Sequence, residues 1–131
     1  MNEETQPTIY ERLGGDPIFW KIAEAFYGRV GADPDQEFRS IFPKDLTEPI
    51  RNQAEFLIQY FGGPTAYSDR KGHPRLRMRH ATFPIDRAAR DRWMTHMQAA
   101  LIEAQVPEPE RSQMAKYFEE TSLFLMNRHP S

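Results

Sequence analysis

The stretch Gly72-His73-Pro74-Arg75-Leu76-Arg77-Met78-Arg79-His80 decides the fold class, because it is where the chain comes nearest to a strand. Leu76, Met78 and His80 alternate with Arg75, Arg77 and Arg79, and a period of two taken alone reads as β-structure. Gly72 and Pro74 on one side and Pro84 on the other isolate the run, and a lone strand has nothing to pair with. A loop leading into a short helical segment is the preferred reading. The expected fold class is then all-α.

Working back from this run, residues 65–84 are rich in Gly, Pro and charge and form the least regular stretch, longer than a typical connection. Before it, a helix starting near Thr47 or Glu48, with Pro49 in its first turn, carries Ile50, Ala54, Leu57, Ile58 and Phe61 on one side. Gly62-Gly63-Pro64 stops it, since glycine admits the left-handed closing residue and proline forbids continuation. Residues 33–48 hold Pro34, Pro43 and the apolar trio Phe38, Ile41 and Phe42, which predicts a helical turn followed by irregular chain. Further back, Gly14-Gly15-Asp16-Pro17 is a helix start, with Asp16 as the expected cap and Pro17 in the first position. Ile18, Ile22 and Phe26 recur every four residues, with Phe19, Ala23 and Val30 in the adjacent row, so this helix should run to about residue 31 with a buried face.

Working forward, Asp86 is the expected cap of a long helix to about Gln105, with Trp93, Met97, Ala100, Leu101 and Ala104 on its buried side. Pro107-Glu108-Pro109 separates it from a last helix with Met114, Tyr117, Phe118, Thr121 and Leu125 on one face. About four main helices packed in pairs around a pocket would satisfy these stripes.

A chain of 131 residues has the usual size of one domain. Its formal charge of -2 gives no reason to expect nucleic acid or a membrane surface as partner. The absence of cysteine removes disulfides, thiolate catalysis, iron–sulfur clusters and Cys-based zinc sites together. The acidic, polar N-terminus does not read as an export signal, and no apolar run approaches a membrane span, so a cytoplasmic protein is expected.

Histidine is the main metal-ligand type left, and there are four: His73, His80, His96 and His129. None pairs with another at the helical spacing of a zinc site. Haem iron asks for a single axial histidine, because the macrocycle supplies the equatorial ligands. His80 stands apart by its setting: Leu76, Met78 and Phe83 are apolar neighbours, and Arg75, Arg77 and Arg79 suit carboxylates. A basic, solvated loop is the alternative. Gln53 and Tyr27 are polar groups at positions where periodicity predicts burial, either as hydrogen-bonded core residues or, with the indole N–H of Trp93, as the donors of one pocket.

The order Gly14-Gly15-Asp16-Pro17, Phe26-Tyr27, Ile41-Phe42-Pro43, Gln59-Tyr60-Phe61-Gly62-Gly63-Pro64, Gly72 to His80 and Trp93 resembles the group II truncated haemoglobins, over about Ile9 to Asn127. The resemblance implies an N-terminal extension over 1–8, a truncated globin domain over 9–127 and a tail over 128–131. It further implies a two-over-two helical sandwich around haem b. His80 would be the proximal iron ligand and Phe42 would stack on the porphyrin. Tyr27, Gln53 and Trp93 would form the distal ligand-binding set. Arg79 and Tyr67 would lie near the propionates, with Phe56, Leu57, Leu76, Phe83, Ile85 and Met97 as apolar walls. Two positions depart from the family: Pro49 stands where a small or hydroxyl residue is usual at the pocket mouth, and Phe42 replaces the tyrosine of some relatives. Neither donates a hydrogen bond.

The function so implied is oxygen binding or transport, with slow release of dioxygen and other diatomic ligands, in a monomer or homodimer. The alternative is a haem-dependent peroxidase or nitric-oxide detoxifying enzyme served by peroxide and a reductase. No histidine stands in the sequence position where a peroxidase would want its distal general base. Composition alone also permits a helical interaction module without haem.

Overall fold

The computed structural model describes residues 6–72 and 85–125, with the Leu125 side chain left aside. Among them are α1 (Ile9–Arg12), α2 (Asp16–Gly31), α3 (Gln36–Arg39), α4 (Thr47–Tyr60), α5 (Ala66–Lys71), α6 (Arg87–Glu103) and α7 (Glu110–Leu125), and no strand. The all-α expectation therefore stands for the described residues. The run from His73 to Pro84, with the alternation of Leu76, Met78 and His80, lies outside the described residues.

Helix α2 lies against α4 and α6, and α6 packs on α7, which is the two-over-two arrangement. The predicted rows of α2 are the ones buried: Phe19, Ile22, Ala23, Phe26 and Val30 are all inaccessible. They meet Leu57 and Ile58 of α4, Met97 and Leu101 of α6, and Met114 and Phe118 of α7 in one core. Fully burying a side chain of this kind is worth about 1.5–3 kcal/mol, so a single continuous stripe accounts for much of the stability.

Several local expectations are corrected. Asp16 is the first residue of α2 rather than its cap; Gly15 occupies the cap position, and the Asp16 carboxylate instead accepts the Tyr10 hydroxyl at 2.6 Å. Helix α1 was not expected, although Thr8 and Glu11 form a reciprocal capping box, a signal written in the sequence. Within the supposedly irregular stretch lies α5, which Gln59 ties to α4 by donating to Ser68 Oγ at 2.7 Å and accepting from the Ser68 amide at 2.9 Å. Arg70 adds a second tie, donating to Glu55 at 2.6 Å and to Asn52 at 2.8 Å. Against burial, which would raise it, these guanidinium bonds hold the Glu55 carboxyl below its ordinary value. Both clamps are long-range in sequence, which is why local pattern did not reveal them.

At the start of α6, Asp86 is the cap that was expected, accepting from the Ala89 amide at 2.9 Å. Arg90 is buried on this helix, donating to Ser122 Oγ at 2.9 Å and to the Glu119 carbonyl at 3.2 Å, and so fastens α6 to α7. No helix among the described residues is long and apolar enough to cross a membrane.

Candidate functional site

Between the helix pairs lies a cavity of about 540 Å³, within the range of ~300–1,000 Å³ typical of cofactor and small-molecule sites. Tyr27 of α2, Phe42 after α3, Gln53, Phe56 and Leu57 of α4, Tyr67 of α5, and Ile85 and Trp93 at and along α6 all line it. Eight sequence-predicted site residues thus converge on one space. Met97 does not join them, because its side chain is fully buried in the core below α6. Leu76, Arg79, His80 and Phe83 lie outside the described residues.

The fold explains the convergence. On α4, Gln53, Phe56 and Leu57 share one face by their helical spacing, while Ala54 and Ile58 turn into the core. Trp93 stands between Phe26 of α2, at 5.1 Å between ring centroids, and Phe118 of α7, at 5.7 Å. Tyr27 is held edge-on by Phe26 at 4.8 Å and Phe42 at 5.8 Å. Pro49 also lines the cavity, so the departure from the family pattern does fall at this site.

Several polar side chains of the lining are held by protein partners, among them Arg90 by Ser122 and Asn52 by Arg70. Gln53 Oε1 is buried with no hydrogen-bond partner. No hydrogen bond within the described residues engages the Tyr27 hydroxyl or the Trp93 indole. Burial pushes the Tyr27 phenol well above its ordinary range, so it keeps its proton and can donate. The charged residues described around the cavity are Lys71 and Arg90, with no carboxylate among them. A phenol, an amide and an indole over apolar walls, with positive charge at the margin, suit a large flat apolar group bearing anionic edges and a small polar ligand above it. That is the chemistry of haem and its diatomic ligand, so the residues present fit the group.

Sequence reasoning passed over Arg90, Lys71 and Asn52 as lining residues. The signal for Arg90 was available, since it precedes Trp93 by one helical turn on the same face. Lys71 and Asn52 belong to elements fixed by the α4–α5 clamp and had no local signature. Tyr117, Phe118 and Thr121 were expected on the buried face of the last helix, and they extend the cavity wall.

An all-α sandwich with a cavity of this lining defines a globin. The bacterial-like globin family model matches residues 8–127, and the chain belongs to that family. It is 39% identical over 123 residues to two-on-two hemoglobin-3 of Arabidopsis thaliana, covering 92% of this chain and 70% of that protein. A group 2 truncated hemoglobin of Bacillus subtilis is 42% identical over 92 residues, covering 70% of this chain and 67% of the other. Among solved structures, the hemoglobin of Chloroflexus aurantiacus superposes with a TM-score of 0.89 at 55% identity, over 94% of this chain and all of that one. The group II truncated hemoglobin of Bacillus anthracis does so with a TM-score of 0.89 at 33% identity, over 95% of this chain.

Proposed function

We propose that the chain is a haem protein that binds dioxygen and other small diatomic ligands and releases them slowly. The observation that carries this reading is the grouping of Tyr27, Gln53 and Trp93, whose side chains make no hydrogen bond within the described residues, on one largely apolar cavity. Haem b, when bound, would supply an iron able to take an exchangeable diatomic ligand. We assign the protein ligand of that iron to His80, on the strength of the motif from Gly72 to His80.

Phe42, Phe56, Leu57 and Ile85 of the cavity lining, with Leu76 and Phe83 from the sequence motif, would exclude water and hold the macrocycle. Tyr67 and Lys71 of the lining, with Arg79 from the motif, would meet the propionates, Arg79 carrying the planar fork that suits a carboxylate. Trp93 and Tyr27 would donate to the small ligand, and the Gln53 amide could donate or accept. A hydrogen bond to a charged or partly charged group is worth about 1.5–3 kcal/mol, and each 1.4 kcal/mol is tenfold in rate. Trp93→Phe and Tyr27→Phe are each expected to speed dioxygen dissociation about tenfold or more in stopped-flow measurements. An unchanged rate in both variants would remove the slow-release assignment.

The peroxidase and nitric-oxide readings have no comparable carrier. No histidine is described around the cavity to serve as a distal base.

A further inference from the structure

Arg39, the last residue of α3, is a cation whose side-chain hydrogen bonds all go to the backbone of the cavity wall. Its Nη1 donates to the Phe42 carbonyl at 3.2 Å and to the Pro43 carbonyl at 3.0 Å, and its Nη2 donates to the Lys44 carbonyl at 3.1 Å. No ion pair engages it among the described residues.

The wall gains little from its own backbone here. The Ile41 amide donates to the Phe38 carbonyl at 3.1 Å and the Phe42 amide to the Arg39 carbonyl at 3.2 Å. The next backbone bond is that of the Ile50 amide to the Leu46 carbonyl, at 2.9 Å, where α4 begins. Between them Pro43 has no N–H to donate. Among the described residues no backbone amide reaches the carbonyls of Phe42, Pro43 or Lys44. Backbone carbonyls need partners, and one guanidinium serves three of them in succession. Its planar array of five donors allows this, whereas a lysine ammonium is a single point.

What rests on this turn is the Tyr27 ring. Phe42 and Pro43 line the cavity, and the Phe42 ring meets Tyr27 edge-on at 5.8 Å. The other ring against Tyr27, Phe26 at 4.8 Å, belongs to α2 itself and is fully buried, so it moves only with the helix. Phe42 is therefore the ring contact that Tyr27 makes outside its own helix. Phe38 supports Phe42 from α3 at 5.4 Å, but it bears on the ring and leaves the carbonyls to Arg39.

We propose that Arg39 is a positioning residue for the candidate site: by holding the carbonyls of Phe42, Pro43 and Lys44 it fixes the Phe42 ring against Tyr27, and through that ring it sets the phenol that donates to the bound ligand. The clause on the ligand rests on the function proposed above; the clause on Phe42 and Tyr27 does not.

The test reads nuclear Overhauser contacts between aromatic rings by NMR on the full chain as purified. Contacts between Phe42 and Tyr27 should be present in the parent and sharply weakened in Arg39→Met, which keeps an unbranched stem without donors. Contacts of Phe26 with Tyr27 and with Trp93 should stay as they are. Arg39→Lys keeps the charge and should show the same selective weakening, and it carries the test if Arg39→Met does not fold. Undiminished contacts between Phe42 and Tyr27 in either folded variant would overturn the hold on the three carbonyls. Loss of the Phe26 contacts together with those of Phe42 would overturn it as well, since Arg39 would then support the fold at large. In the haem-loaded protein Arg39→Met should speed dioxygen dissociation about threefold, and should add nothing in the Tyr27→Phe background, because both changes act through one group. The same acceleration in both backgrounds would overturn the route through Tyr27. Failure to take up haem would overturn the function proposed above and leave the NMR result on Phe42 and Tyr27 standing.

Discussion

Gln53 carries opposite costs in the two states of the protein. Its Oε1 is buried without a partner, and an unmet buried acceptor costs about 1–3 kcal/mol. Gln53→Leu should therefore raise the thermal midpoint of the ligand-free protein while speeding ligand release from the loaded one. A variant that loses stability in both states would show that Gln53 is a structural residue. Asp33 behaves differently. Its carboxyl lies well below the ordinary value of 3.8 in the folded state, chiefly through Arg92. The stability it contributes is present above the unfolded value and is lost as pH falls through that range toward the folded one. Urea unfolding at a series of pH values should show Asp33→Asn less stable than the parent at neutral pH. The acid-side slope of the variant should also be shallower, whereas parallel slopes would contradict the assignment.

At the scale of elements, the joint between α4 and the N-terminal turn tolerates no side chain. Gly62 has φ +107°, and a Cβ there would sit 2.5 Å from the Cβ of Thr8. Gly62→Ala should cost about 1–3 kcal/mol, as strained backbone positions do. Gly28→Ala, within α2 with nothing within 4 Å of the added carbon, should instead gain about 0.5–1 kcal/mol. Equal midpoints in thermal melts of the two variants would contradict this account. The contrast also marks what the sequence reveals. The stripe of α2, the Asp86 cap and the stop after Tyr60 are local signals of period, cap and breaker, and each was legible. Helix α5 and the Asp33–Arg92–His96 cluster depend on partners far apart in the chain, which periodicity does not report. Of the site, Tyr27, Gln53 and Trp93 were legible as misplaced polarity, since periodicity predicted burial for each. Met97 obeys the same period as the cavity residues yet faces the core, because α6 packs on α2 and α7 at once.

For the molecule as a whole, the two helix pairs enclose a space that no side chain fills, with positive charge and no acid among its described lining residues. Filling that space should stabilise the fold by mass action, so that hemin raises the thermal midpoint as its concentration exceeds its dissociation constant. The measurement that tests the central claim most directly is an absorption titration of the purified chain with hemin, run beside His80→Ala. The parent should develop an intense band at the blue edge of the visible, saturating at one equivalent and distinct from free hemin, and His80→Ala should lose or markedly shift it. A parent spectrum that stays the sum of protein and free hemin would contradict the account, and identical spectra for parent and variant would remove His80 as the ligand.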